Sequence, residues 1–258
     1  MRNRKTNIVL NILNFVINSF VILILFGIGL YAAYALWDNQ QIYSAADDVR
    51  ADMLQLKPKA EEDGGASFED LLEINPDVRA WITLDGTNID YPVLQGENNL
   101  TYINTDVYGK FALAGSIFLD SRNQDDFSDC YNLLYGHHMD NGGMFGDLDK
   151  YKDADFFDGH VTGTLLLPDR SYALEVFACC VTSASDENIF NPDRWQEGID
   201  GLMLYAQDEA LHYREISMDN NASAEGLQVL ALSTCDTDFT DARTVVLAAM
   251  VPEGQEVR

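Results

Sequence analysis

Cys235 and Arg243 stand eight residues apart in "LALSTCDTDFTDARTVVLAAMV" (230–251), the thiol closing one apolar run and the cation opening the next. A third apolar run, "YNLLYG", leads directly into His137 and His138. A thiol, an imidazole and a guanidinium at strand ends are the parts of a nucleophilic site. The thiolate is the nucleophile, and a nearby His or Arg lowers its pKa. An imidazolium can protonate a leaving amine. Arginine keeps its charge, and its fixed fork of donors can hold a carbonyl as negative charge develops on it. Strands flanking one turn would bring Cys235 and Arg243 side by side. Composition and spacing alone leave a purely structural role for these residues open.

Those groups need a rigid frame, and the sequence supplies short strands. "VRAWITLDGTNIDYPVLQ" holds two β-rich runs around Asp85-Gly86, a hairpin-type turn signal. "GSIFLD", "YNLLYGH", "VTGTLLLP", "SYALEVFACCVTS", "LQVLALSTC" and "RTVVLAAMV" give six more. Strands at this density predict a mostly β fold, a closed or nearly closed barrel. Gly136 would permit a sharp exit before the histidines. "SFEDLLEIN" reads as a short helix with Ser67 as N-cap and Asp70 three residues on. Two further helical intervals interrupt the strands, 142–157 and 191–213. The second carries Trp195, Ile199, Leu202 and Tyr205 at helical spacing and is inserted before the cysteine-bearing strand.

Residues 8–37 carry no charge, and a bilayer-crossing helix needs about 20 apolar residues. The run exceeds the 7–15-residue core of a cleaved signal peptide. Arg2, Arg4 and Lys5 precede it, and no acid occurs before Asp38. The positive-inside rule then predicts a cytoplasmic tail at 1–7, an anchor at 8–37, a stalk at 38–66 and an external domain at 67–258. From Asp38 onward 13 basic residues face 42 acidic ones, a balance of −29. Such a field repels nucleic acid, so nucleic acid is not an expected partner. Cys130, Cys179 and Cys180 read as small core hydrophobes. The last two are strand neighbours pointing to opposite faces, unable to pair with each other. Asp236, Asp238 and Asp241 do not match an EF-hand loop and read as solvated acids. His160 and His212 read as structural. No metal or other cofactor is expected.

The motifs together carry a resemblance. "LSTCDTDFTDAR" resembles the Thr-x-x-Cys then Arg signature of sortases, here in an "LSTC" form with Leu232 three residues before the cysteine. "YGHHMDNGGMFGDLDKY" is similar to the segment around their catalytic histidine, and "INPDVRAWITLDGTNIDYPVLQGENNLTYI" and "GSIFLD" look like the early part of class B sortases. The match spans about residues 68–251. It implies a sortase-like closed β-barrel with short helices behind an N-terminal transmembrane helix. It implies a membrane-anchored cysteine transpeptidase of a Gram-positive bacterium. Cys235 would attack a carbonyl in the C-terminal sorting signal of a secreted protein. A cell-wall peptidoglycan amine or a pilin lysine would then resolve the thioester. By the same resemblance His137 is the acid and Arg243 the clamp, with His138 standing where class B often has Asn. Asn99, Ile103, Tyr135, Ser233 and Asp236 correspond to groove-lining positions, and Thr234 orients the peptide or only packs. A tethered binding barrel without chemistry and a simple extracellular cysteine protease are the competing readings.

Overall fold

The computed structural model describes residues 2–59, 67–216, 226–235 and 241–253. Contacts divide it into one unit up to Ser44 and another from Ala45 onward. The first unit lies within α1 (Arg2–Gln55). From Ile8 this helix is long and apolar enough to cross a membrane. Its large apolar side chains between Ile8 and Trp37 are exposed, the condition a helix tolerates in lipid rather than in water.

In the second unit α1 ends with Met53 buried among Phe68, Leu71, Val78 and Trp81. The end of the helix is therefore packed rather than free. α2 (Glu69–Ile74) follows. Its N-cap is Phe68 and no side chain caps it, so the expected Ser67 cap is not formed. Phe68 is buried in the same cluster. Burial of that ring decides where the helix begins, and the hydroxyl cap gives way to it.

The barrel is built from β1 (Val78–Leu84), β2 (Asp90–Leu94), β3 (Ile117–Leu119), β4 (Tyr131–Tyr135), β5 (Thr162–Leu166), β6 (Ser171–Ser183), β8 (Gln228–Cys235) and β9 (Ala242–Pro252). They run in the order β5-β1-β2-β3-β4-β8-β9-β6, and pairing of β5 with β6 closes the ring. Asp85-Gly86 makes the first reversal, with Gly86 at φ 76°, where a side chain would be strained. A two-residue strand, β7 (His212–Tyr213), adds to β6 at Ala178–Cys179. This pair falls at the end of the helical interval expected over 191–213, because two residues carry no periodicity of their own.

Strands β4, β8 and β9 are apolar almost throughout because both faces are covered. Tyr131, Leu133, Val229, Ala231, Val245 and Leu247 pack against Ile189, Trp195, Ile199 and Leu202. Alternate residues of the same strands, such as Leu134, Leu230, Leu232 and Val246, are also buried and project to the opposite face. The covering residues belong to the insertion between β6 and β7. It contains α4 (Glu187–Phe190), a 3₁₀ turn at Pro192–Trp195 and α5 (Asp200–Glu209). The interval 142–157 becomes a 3₁₀ segment at Gly146–Lys152 and α3 (Ala154–Gly159).

Candidate active site

Three adjacent strands deliver the candidate residues to one rim of the barrel. β4 and β8 are parallel, with Tyr135 beside Ser233, so their C-terminal ends lie together. The Gly136 amide extends that pairing by donating to the Ser233 carbonyl at 3.2 Å. His137 is the next residue. β9 then returns antiparallel to β8, placing Arg243 directly opposite Cys235. For Cys235 the backbone is described; Asp236 and Asp238 lie outside the described residues. Gly136 does not take the positive φ that would free a sharp exit. What requires glycine there is space: a Cβ would sit 2.7 Å from the Phe145 ring.

A groove of about 330 Å³ opens at this rim. Asn99, Ile103, Tyr135, Ser233 and Thr234 line it, together with His137 and Arg243. Leu100, Phe118, Ala184 and Phe190 add an apolar wall; the last two lie in the 183–213 connection that the family resemblance assigns to selecting the sorting signal, while Leu100 and Phe118 have no sequence signal of their own. Leu100 comes from the β2–β3 connection, while Ala184 and Phe190 come from the β6–β7 insertion. The hydroxyls of Ser233 and Thr234 are buried and have no hydrogen-bond partner among the described residues. An apolar cleft with a few convergent polar groups suits a peptide segment.

The four histidines separate by their contacts. His137 lines the groove, its Nε2 2.6 Å from the Ile103 carbonyl oxygen. His138 Nε2 pairs with Asp149 Oδ2 at 3.0 Å, and its Nδ1 lies 3.7 Å from Asp140. His160 stacks on Phe156 with ring centroids 3.9 Å apart. His212 Nε2 lies 2.9 Å from the Lys152 carbonyl oxygen. Arg243 Nη1 donates to the Ala242 carbonyl at 2.8 Å, and among the described residues no carboxylate pairs with it. Asp241 is exposed at φ 66° in the turn before β9. Cys179 and Cys180 are buried, and burial pushes the Cys180 thiol up to about 12. Cys130 is free but only half-buried, 3.8 Å from the Gln196 carbonyl oxygen, so it is not the core residue expected.

A second finding behind the groove had no sequence signal. The Asp120 side chain is fully buried and pairs with Arg122, whose Nη2 lies 2.7 Å from Oδ2. Burial would raise the Asp120 pKa, but the Arg122 hydrogen bonds, helped by Tyr135, hold it below the usual carboxylate range. Burial and the neighbouring Asp120 charge push the Tyr135 phenol upward. Both groups therefore keep their ordinary charge states at neutral pH.

The Sortase domain family model matches residues 82–251 of this chain. Sortase B of Staphylococcus aureus is 30% identical over 235 residues, covering 90% of this chain and 93% of that protein. A Streptococcus pyogenes class B sortase involved in pilus biogenesis superposes with TM-score 0.64 at 40% identity, covering 71% of this chain and 97% of that one. Sortase B from the type II pilus of Streptococcus pneumoniae gives 0.58 at 36% identity, covering 72% and 98%. The closed barrel, the helical insertion before the cysteine-bearing strand and these similarities agree: the chain belongs to the sortase family of cysteine transpeptidases, on its class B side.

Proposed function

We propose that this protein is held by α1 with its N-terminus in the cytoplasm and its barrel outside, where it transfers secreted proteins from a C-terminal sorting signal to an amine. Cys235 is the nucleophile. Its thiolate attacks the scissile carbonyl, and Arg243 holds the oxygen as it becomes an oxyanion. The C–N bond then breaks, and the His137 imidazolium gives its proton to the leaving amine. A thioester on Cys235 remains. An incoming amine attacks it, gives a proton to the now neutral His137 imidazole, and forms the new amide as the S–C bond breaks, so the thiolate and the imidazolium are both regenerated. Asn99, Ile103, Tyr135, Ser233 and Thr234 line the peptide's path, and Asp236 is assigned to the same path by family resemblance.

The observation that carries this reading is the strand order β4-β8-β9, which gathers the chain positions of His137, Cys235 and Arg243 at one rim. The test uses the full-length protein in membrane vesicles with a library of sorting peptides, with and without a glycine-containing amine. Mass spectrometry is expected to find a thioester adduct and a ligated product, and Cys235→Ala should give neither. Hydrolysis alone, with no ligation to any amine, would instead support an extracellular protease.

A second reading keeps the chemistry and changes the acceptor to a pilin lysine. The higher identities to the two pilus-related structures favour it. Preference for a lysine side chain over a cell-wall peptide amine in the same assay would select it.

A further inference from the structure

Three groove residues from three separate chain segments are tied to one ion pair whose carboxylate is buried. Asp120 Oδ2 accepts hydrogen bonds from Asn99 Nδ2 at 2.9 Å and from the Tyr135 hydroxyl at 2.9 Å. Arg122 donates to both oxygens of the same carboxylate, Nε to Oδ1 at 2.9 Å and Nη2 to Oδ2 at 2.7 Å. The Arg122 Nη2 also donates to the Phe190 carbonyl at 2.8 Å. Phe190 closes α4, and its ring stacks on Tyr135 at 6.4 Å.

We infer that the Asp120–Arg122 pair is a positioning unit that sets which peptide the groove accepts, by fixing Asn99, Tyr135 and Phe190 relative to one another. The inference rests on the peptide-transfer reading given above. Neither Asp120 nor Arg122 lines the groove. Their effect passes through the three residues that do.

The physical case begins with the cost of the pair. The Asp120 side chain is fully buried, whereas Arg122 is 38% exposed. A buried charge is kept only when it is paired and hydrogen-bonded, and such pairs add little net stability compared with apolar packing. What this pair supplies is geometry. The β6–β7 insertion ends α4 with carbonyls that the helix cannot satisfy. Two side chains from outside the insertion satisfy consecutive ones: the Tyr131 hydroxyl of β4 donates to the Ile189 carbonyl, and Arg122 of the β3–β4 connection donates to that of Phe190. The Phe190 wall is thereby registered to the barrel floor.

The same network orients Asn99. Its Oδ1 accepts from the Ser121 amide at 2.7 Å while its Nδ2 donates to Asp120. These two partners settle which end of the amide is which. One Nδ2 hydrogen remains. Asn99 therefore meets the substrate as a donor, and the complementary peptide group is an acceptor, a backbone carbonyl or a side-chain amide oxygen. Phe190, Leu100 and Phe118 beside it call for an apolar neighbour.

The test compares wild type, Arg122→Gln, Arg122→Lys and Asp120→Asn, full length, on the same peptide library. For Arg122→Gln, KM is expected to rise about tenfold, equal to ~1.4 kcal/mol of lost binding, with a much smaller change in kcat. Its peptide profile should broaden at the positions meeting Asn99 and Phe190, while iodoacetamide alkylates Cys235 at the wild-type rate. Arg122→Lys should recover part of the selectivity, since an ammonium can pair with Asp120 but lacks the fork to reach Phe190 as well. Arg122 is accessible enough that its variants should fold even where Asp120→Asn does not. An unchanged KM and profile in Arg122→Gln, beside a wild type that ligates, overturns this inference alone. A fall in kcat with KM unchanged also overturns it, leaving a merely structural pair. A wild type that processes no peptide overturns the functional reading and this inference with it.

Discussion

His138 Nε2 lies 3.0 Å from Asp149 Oδ2, and Asp149 Oδ1 accepts the Thr244 hydroxyl at 2.7 Å. One carboxylate thus joins the residue after His137 to the residue after Arg243. It also separates two adjacent imidazoles, since His138 is engaged there while His137 lines the groove. Losing a general acid typically costs about 10²–10⁴ in rate. His137→Ala should therefore lower kcat/KM for ligation by that order. His138→Gln breaks a partly exposed pair worth ~1 kcal/mol or less and should keep kcat/KM within about tenfold. Steady-state ligation kinetics of the two variants check the assignment, and the reverse ranking would reassign the acid to His138.

Arg243 is the direct cross-strand partner of Cys235. Replacement by lysine keeps the positive charge but removes the planar fork. If the fork holds the developing oxyanion, Arg243→Lys should lower kcat by about 10²–10³, the usual cost of one lost oxyanion donor. The melting temperature should move little, because among the described residues no carboxylate depends on this arginine. A near-wild-type kcat would remove the clamp role.

The frame was more legible than the floor of the groove. β4, β8 and β9 announce themselves as largely apolar runs because both of their faces are buried. Their parallel or antiparallel partners do not, since β4 meets β8 across roughly a hundred residues and no local signal encodes that register. Local capping chemistry at Ser67 pointed one way, and the burial of Phe68 overruled it. Asp120 and Arg122 are two charges two residues apart in a loop, a pattern that reads as solvated. The burial of Asp120 and its tie through Arg122 to Phe190 depend on the insertion and on Asn99 and Tyr135, which arrive from distant chain segments. Gly136 was legible as necessary, but its reason, the Phe145 ring, is tertiary.

Alkaline pH should unfold the protein through groups that burial keeps protonated. The Cys180 thiol ionises near 9.0 when unperturbed and is pushed up to about 12 by burial in the folded chain. Between those values the folded chain holds a proton that the unfolded chain has lost, so stability falls as pH rises. This contribution is complete below pH 9.0 and disappears towards pH 12. Burial moves the phenols of Tyr131, Tyr135, Tyr151 and Tyr205 in the same direction from their usual value of about 10. Denaturant midpoints measured from pH 7 upward should stay level and then drop above pH 9, and Cys180→Ala should begin its drop about one unit later, where the tyrosines take over. A midpoint that rises above pH 9 would contradict the buried assignments.

Leu202 and Leu204 sit two residues apart on α5 and test whether the insertion is part of the fold or a loose appendage. Leu202 is fully buried against the barrel strands, and Leu204 is 63% exposed. Truncating a buried leucine to alanine costs about 2–5 kcal/mol through lost transfer energy and the cavity left behind. In a domain of this size ~1 kcal/mol corresponds to about 2–4 °C. Leu202→Ala should thus lower the melting temperature by roughly 5–15 °C, and Leu204→Ala should stay within ~0.5 kcal/mol of wild type. Because α4 and the Phe190 wall belong to the same insertion, Leu202→Ala should also raise the KM for peptide well below its melting temperature. If calorimetry finds both variants equally stable, α5 is not anchored to the outer face of the barrel, and the wall of the groove must be held by Arg122 and Tyr131 alone.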